Sequence, residues 1–342
     1  MLPLNRRIKI KPLAVITFSL VMIIVLALSL FFGCAAKPEG RDVIIYPQTW
    51  LYIGDDAPWF LGLDRGYFLD EGIEFSTAEG KGSGLNIKML GAGEQTFGEA
   101  GYDAMMLGIQ EGMPIKGVFG YYQKSPNAIT SLASAPIRSV KELEGKSVAA
   151  KAGAPYDVMF PALCKVGGAD INKINLVHVA PGVTLTMLAE EQVDAILGYF
   201  NYASLVLPKE FGLETHVVLY ADMGINVLNH GIVVNNSIIE SNPDLVKRFV
   251  RASQKSFADA VADPEAAIDS MIKYVPVGLD REKELASLRM MLTLLHTEAT
   301  EGKAIGWVAN EDWEASQDLL FEIGEIKQKL PIETYFTNEF LP

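Results

Sequence analysis

Tyr199-Phe200-Asn201-Tyr202 brings three aromatic rings and a carboxamide into one short stretch. These groups hold a ligand rather than react with it. A ring offers a face for stacking, and an amide offers both a donor and an acceptor to the edge of a heterocycle. A plainer grouping, Gly101-Tyr102-Asp103, stands earlier in the chain. Both follow the same local order: a helix ending in Met-Leu (Met89-Leu90 and Met187-Leu188), a polar turn rich in Glu and Gln, then a short apolar strand. Short apolar runs between turn signals read as buried parallel strands, and ligands sit at the carboxyl ends of such strands. Two copies predict two similar α/β lobes that offer strand-end loops to a common cleft. In the second loop, alternation along an extended chain places Tyr199 and Asn201 in the cleft and packs Phe200 inward. The opposite alternation gives the cleft to Phe200 and Tyr202. Gly198, at the strand end, is expected to permit close backbone approach.

Other loops supply further candidates. Asp55 and Asp56 precede a helix entered through Pro58. They and Trp59 either cap and pack, or project acids and an indole into the cleft; both roles are compatible. Glu79-Gly80-Lys81-Gly82-Ser83-Gly84 precedes a helix from Leu85. Gly82 and Ser83 there are expected to present free N–H groups at a helix start, or simply to form a capped turn. The glycine spacing is not that of a dinucleotide-binding loop. Tyr121-Tyr122-Gln123 follows an expected strand over Lys116–Gly120, and Ala154-Pro155-Tyr156 follows one over Ser147–Ala150.

Composition narrows the function. Residues 1–33 carry Arg6, Arg7, Lys9 and Lys11 with no acid, then an apolar run from Leu13 to Phe32. This is a secretory signal pattern. Removing those four positive charges takes the formal charge from −13 to −17, which argues against nucleic acid or an anionic lipid surface as partner. The remaining body has one cysteine, Cys164, so no internal disulfide is expected. His178, His216, His230 and His296 are scattered, with no metal-ligand spacing. No histidine shares a motif with a serine or cysteine, so neither an enzyme nor a cofactor is expected. About 300 residues suit two lobes better than one.

The series of motifs resembles a known family. The helix Pro58-Trp59-Phe60-Leu61-Gly62-Leu63-Asp64-Arg65-Gly66-Tyr67-Phe68, then Asp70-Glu71-Gly72-Ile73-Glu74-Phe75 and the Gly-rich loop, come first. Phe97-Gly98-Glu99-Ala100, Glu111-Gly112-Met113-Pro114-Ile115, Val140–Lys146, Gln192–Ile196 and the tail Tyr335–Leu341 follow in order. Together they resemble the solute-binding proteins of ABC importers, of the NMT1/THI5-like group that binds thiamine pyrimidines, riboflavin, sulfonates or nitrate. Gly33-Cys34 with its polar linker resembles a bacterial lipobox, although Phe31-Phe32 departs from that pattern and the apolar run is long enough for an uncleaved anchor.

The resemblance implies an α/β, two-lobed, periplasmic-binding-protein-like fold with two hinge strands and a cleft between lobes. Residues 1–33 are then the signal peptide and 34–41 a linker lipidated at Cys34. Lobe one is 42–133 with 231–342, and lobe two is 134–230. The hinge strands fall near Ser131–Ala135 and Asn229–Val233. Four C-terminal helices are expected, at Pro243–Val261, Pro264–Tyr274, Glu282–His296 and Glu311–Lys327. The implied protein is an extracytoplasmic monomer tethered to the membrane, handing a small molecule to a permease and its ATPase. The rings favour an aromatic heterocycle, and Asp55, Asp56 and Asp103 suit its donors. An anion held by Gly80–Gly84 and Lys151 is the alternative, as is a sensing partner of a membrane receptor.

Overall fold

Strand β1 (Asp42–Pro47) alternates strictly: Ile44 and Tyr46 are buried while Val43 and Ile45 face solvent, the period of a half-buried strand. It pairs in parallel with β2 (Ile73–Ala78), with Ile44 opposite Phe75. Between them lies helix α1 (Ala57–Asp64), with Pro58 in its first turn. Helix α2 (Ser83–Gly91), strand β3 (Phe97–Gly101), helix α3 (Tyr102–Gln110) and strand β4 (Ile115–Tyr122) follow. The computed structural model describes residues 40–180, 182–275 and 277–342, and Asp42–Pro342 form one compact unit. Cys34 and the leader lie outside the described residues.

The next stretch builds its own sheet. Strand β5 (Asn127–Leu132), β6 (Ser147–Ala150), helix α4 (Phe160–Val166), β7 (Asn175–His178), helix α5 (Val183–Ala189), β8 (Ala195–Tyr199), helix α6 (Phe200–Val206) and β9 (Thr215–Leu219) follow in order. The strand order is β7-β6-β8-β5-β9. β6 is parallel to β7 and β8, and β5 is antiparallel to β8 and β9. The chain then returns as β10 (His230–Asn235), the centre of a β3-β10-β4 sheet. Its Ile232, Val233 and Val234 are fully buried. Gly231 is required there, because a Cβ would stand 1.9 Å from the Tyr102 hydroxyl and 2.6 Å from the Phe119 carbonyl oxygen.

Sheet membership relocates both expected hinge strands, since His230–Val233 of the second pair with β3 and β4 inside one sheet. Thr130 and Ser131 pair with Ile196 and Ala195 on one side and with Val217 and His216 on the other. Ser131 and Leu132 are thus the far end of a strand paired on both sides, with 133–135 in the turn after it, and not a hinge. The chain passes between the sheets at Gln123–Pro126 and again at Tyr220–Asn229. Gly198 also departs from expectation. A Cβ there would meet nothing within 4 Å, so no contact within the chain demands glycine.

After a short helical turn at Asn236–Ser241, four longer C-terminal helices follow. α7 (Pro243–Ala262) is capped by Asn242, whose side chain accepts from the Leu245 amide. It buries Leu245, Val246, Phe249, Val250, Phe257 and Ala260, the one-face spacing of an amphipathic helix. Phe249 and Phe257 join Tyr46, Trp59 and Tyr121 in an aromatic core, with the Tyr46 and Trp59 centroids 4.5 Å apart. α8 (Pro264–Tyr274) packs on α1. α9 (Arg281–Met291), capped by Asp280, packs on both the Gly54–Asp56 turn and α6. α10 (Asn310–Glu322) ends before Gly324, whose φ of +81° stops a helix.

Candidate functional site

The loop after β1 is held by the loop after β2. Gly80 N–H donates to the Trp50 carbonyl at 2.9 Å, and Gly82 N–H to that of Thr49 at 2.7 Å. Tyr52 N–H reaches Glu79 Oε1 at 3.2 Å, and Thr49 N–H reaches Glu99 Oε2 at 2.6 Å. A Cβ on Gly80 would lie 1.7 Å from the Gln48 carbonyl oxygen, and Gly82 has φ +102°. The glycines therefore serve close approach and a left-handed turn. The Gly82 N–H, expected to be free for a ligand, is instead engaged, like that of Gly80, in pinning the Thr49-Trp50 loop. That indole is left 62 % exposed on the rim of a cavity.

Buried acids form the floor. Asp56 Oδ2 accepts from Ile53 N–H at 3.0 Å, and Glu284 Oε2 accepts from Gly54 N–H at 2.7 Å. With its amide oriented to donate to both acids, Gln48 bridges Asp56 Oδ1 at 3.0 Å and Glu99 Oε2 at 3.1 Å. The Tyr121 hydroxyl also donates to Glu99. A relay crosses the cavity: Asn201 Nδ2 donates to Ser287 Oγ at 3.0 Å, and Ser287 Oγ donates to Asp55 Oδ1 at 2.9 Å. Desolvation pushes the Asp55 carboxyl up to about 7; the Ser287 bond opposes this, and the Glu284 and Glu99 charges add to it. Burial, then the Glu99 charge, holds Asp56 well above the usual carboxylate range. Lys283 Nζ lies 3.8 Å from Glu284 Oε1.

The facing wall is the β8–α6 junction. The helix begins at Phe200, whose N–H donates to the Pro126 carbonyl at 2.9 Å. Helical spacing, rather than strand alternation, therefore brings Asn201, Tyr202 and Leu205 to the cavity and leaves Phe200 buried. Tyr199 caps the helix and lines the same wall, its ring edge-to-face with Tyr156 at 5.6 Å. Part of the Tyr199 surface faces solvent, yet desolvation, then the Asp103 carboxylate, pushes its hydroxyl up to about 12. The enclosed volume is about 570 Å³, within the range of small-molecule sites.

The structure gathers Asp55, Asp56, Gly82, Ser83, Tyr122, Tyr199 and Asn201 around this cavity. Tyr122 also donates its hydroxyl to the Asp55 carbonyl at 2.9 Å. Other expected residues lie elsewhere. Trp59 is fully buried in the aromatic core, because the face of α1 that carries it packs on α7. Tyr102 is equally buried, 4.7 Å from the Trp313 ring. Gln123 is an internal anchor, donating to the Trp307 carbonyl and accepting from Thr300 Oγ1, both at 2.8 Å. Ala154 is buried, and Tyr156 touches the cavity only through Tyr199. Asp103 lines a smaller neighbouring cavity of about 110 Å³. Lys151 lines neither. Trp50, Glu99, Glu284 and Ser287 were not expected. Glu284 and Ser287 are three apart on α9 and so share a face. The only sequence signal was that spacing, with nothing local to say where the face would dock.

A sequence model of the NMT1/THI5-like family matches residues 54–267. The riboflavin-binding protein RibY of Chloroflexus aurantiacus is 26 % identical over 292 residues, covering 84 % of this chain and 82 % of that one. The formylaminopyrimidine-binding protein of Halalkalibacterium halodurans is 19 % identical over 310 residues, covering 86 % and 93 %. Among solved structures, the periplasmic aliphatic sulphonate binding protein of Escherichia coli matches with a TM-score of 0.66 at 15 % identity, covering 86 % and 96 %. That likeness establishes the two-lobed periplasmic-binding-protein-like fold with its cleft between lobes.

Proposed function

Because this chain belongs to the NMT1/THI5-like family, we propose that it is the extracytoplasmic solute-binding receptor of an ABC importer and takes a small aromatic heterocycle into its cavity. The observation that carries this is the pairing of wall and floor. Trp50 from one lobe and Tyr199 and Tyr202 from the other flank a space floored by Asp55, Asp56, Glu99 and Glu284. Rings of this kind contribute about 0.5–1.5 kcal/mol per stacked pair beyond area. Buried acids accept from N–H and O–H groups and repel anions, so a sulfonate or nitrate suits the floor poorly. The relatives named for riboflavin and formylaminopyrimidine point to the same class of ligand.

The lobes close on the ligand about the Gln123–Pro126 and Tyr220–Asn229 connections, and the closed form is presented to a permease. No bond of the ligand is made or broken. The receptor is a monomer held outside the cytoplasmic membrane through lipid on Cys34. Among the described residues no helix is long and apolar enough to cross a membrane. Cys34→Ala should then change the mass and processing of the exported form.

Titration calorimetry against riboflavin, formylaminopyrimidine, an alkanesulfonate and nitrate tests the ligand class. A heterocycle should bind with a dissociation constant of about 10 nM to 10 μM. Binding of the sulfonate or nitrate with neither heterocycle bound would overturn this reading.

A further inference from the structure

The chain of bonds from Asn201 through Ser287 to Asp55 has a direction. Its links are 3.0 Å and 2.9 Å long and join α6 to α9 and α9 to the Gly54–Asp56 turn. A carboxylate only accepts, a hydroxyl carries one proton, and a carboxamide donates at one end and accepts at the other. Ionised Asp55 therefore takes the single Ser287 proton. Ser287 Oγ can then only accept from Asn201, which fixes Nδ2 toward it. Asn201 Oδ1 has no hydrogen-bond partner among the described residues, and Asn201 lines the main cavity. The group left for the cavity is a carbonyl oxygen.

A proton on Asp55 reverses each link. The carboxyl donates to Ser287 Oγ, the one side chain hydrogen-bonded to it among the described residues. The Ser287 proton then turns to Asn201, whose amide must present Oδ1 to it and Nδ2 to the cavity. The hydroxyl rotates and the amide turns over; no proton passes along the chain. The terminal amide torsion is broadly two-fold and both orientations have the same shape, so no repacking is needed. The surroundings bring this proton within reach. Asp56 in the same turn, Glu99 on β3 and Glu284 on α9 line the cavity with Asp55, against Lys283 on α9 and His230 on β10. Tyr122 on β4 bonds the Asp55 backbone carbonyl, not its carboxyl. The facing wall brings only the phenols of Tyr199 and Tyr202. Desolvation first, with the Glu284 and Glu99 charges added and the Ser287 bond opposing, places the carboxyl at about 7. Both directions are then populated near neutral pH.

We infer that Asp55, Ser287 and Asn201 form a reversible relay, in which the proton on Asp55 sets which end of the Asn201 amide the cavity presents. With Asp55 ionised the wall offers an acceptor and favours a ligand edge that donates. With Asp55 protonated it offers a donor and favours an edge that accepts. Ser287 is a positioning residue, acting through Asn201. That this edge meets a ligand rests on the receptor reading above; the relay itself does not.

Nuclear magnetic resonance of the full-length, isotope-labelled protein tests the relay with no ligand added. The Asn201 side-chain NH2 signals are assigned by their loss in Asn201→Asp, and the Asp55 carboxyl carbon is followed beside them. As pH rises from about 5 to about 9, one Nδ2 proton should move downfield as its bond to Ser287 forms, in step with Asp55 and with a midpoint near 7. In Ser287→Ala the Asn201 signals should stop titrating. Asp55 should still titrate there, at higher pH, because a bond that favours its carboxylate is gone; that titration also shows a folded site. Ser287→Thr restores a hydroxyl and should restore the Asn201 response. Should Ser287→Ala not fold, Asp55→Asn makes the same test and should leave the Asn201 signals flat. Constant Asn201 signals in the wild type while Asp55 titrates would overturn the inference, as would an Asp55 carboxyl that does not titrate in this range. Asn201 signals that still follow pH in Ser287→Ala or Asp55→Asn would also overturn it, since a through-space field from Asp55 or His230 needs no relay. Each of these failures leaves the receptor reading intact, and a failure of that reading leaves this test unaffected.

Discussion

The two strand-to-helix junctions share one joint and differ in what is fixed to it. Gly101 and Tyr199 both cap a helix from extended backbone, with φ −65° and ψ 137° against φ −85° and ψ 135°. In both, the next residue is an aromatic ring turned into the core, Tyr102 and Phe200. In both, that residue's N–H docks on a carbonyl of a crossing segment. At Gly101 a Cβ would stand 2.5 Å from Asp103 Oδ1, so nothing larger than glycine fits undisturbed. At the other cap stands Tyr199, its ring on the cavity wall. Asn201 occupies the place of Asp103, and reaches Ser287 where Asp103 turns back to the Ala104 amide at 2.7 Å. The first junction is a structural joint; the second is the same joint carrying a ring and an amide that reach the cavity.

The largest effects should come from the feature the junctions share. Tyr102→Ala and Phe200→Ala are core truncations and should each lower folding stability by about 3–5 kcal/mol, read by urea denaturation. Tyr102 should lose at least as much, since it is fully enclosed between Trp313 and Phe336. A Phe200→Ala protein of unchanged stability that had lost its ligand would break the equivalence.

Next comes the acid that the second junction reaches through Ser287. Asp55 titrates near 7 in the fold against an ordinary value of 3.8. Between these values the folded protein binds more protons than the unfolded chain. Stability from this group is therefore highest below about pH 4, falls as pH rises, and is flat above about pH 7. The shift of about three units sets an upper bound of about 4 kcal/mol on that fall. Asp55→Asn should flatten the slope and be relatively more stable at about pH 8 than at about pH 5. An unaltered pH–stability curve would mean that Asp55 is ionised in the fold at all these pH values.

Smaller again are the losses at the groups that distinguish the junctions. Tyr199→Ala and Asn201→Ala should weaken ligand binding by about 1–3 kcal/mol, through lost area and an unpaired ligand group. Thermal stability without ligand should hold nearly constant. If neither substitution changes affinity, the second junction is as structural as the first.

Legibility from sequence tracked how local each cause was. Helix α7 announces itself through Asn242-Pro243 and the spacing of Leu245, Phe249 and Phe257. Tyr199, Phe200 and Asn201 take the faces that strand alternation predicts but for another reason, because the chain turns helical at Phe200 and so also brings Tyr202 to the wall. Trp59 and Trp50 were not separable in this way. One sits on a helix whose buried face is chosen by α7, and the other on a loop held by glycines some thirty residues on. Glu284 and Ser287 reach the floor from 230 and 232 residues beyond Gly54 and Asp55. No local pattern carries contacts of that separation.

The finest test separates the face of Tyr199 from its hydroxyl. The comparison with Gly101 says that the second junction gained a ring, and a stacking ring acts through its face. Tyr199→Phe keeps that face and its edge-to-face contact with Tyr156. It removes only a hydroxyl that desolvation and the Asp103 carboxylate already push up to about 12, so that it stays protonated at neutral pH. Deleting one neutral hydrogen-bonding group changes a free energy by about 0.5–1.5 kcal/mol. Tyr199→Phe should therefore shift the dissociation constant less than Tyr199→Ala, by about two- to tenfold at most, with unchanged thermal stability. Should Tyr199→Phe lose as much affinity as Tyr199→Ala, the hydroxyl and not the face holds the ligand. The difference between the junctions would then lie in a hydrogen bond made beside Asp103.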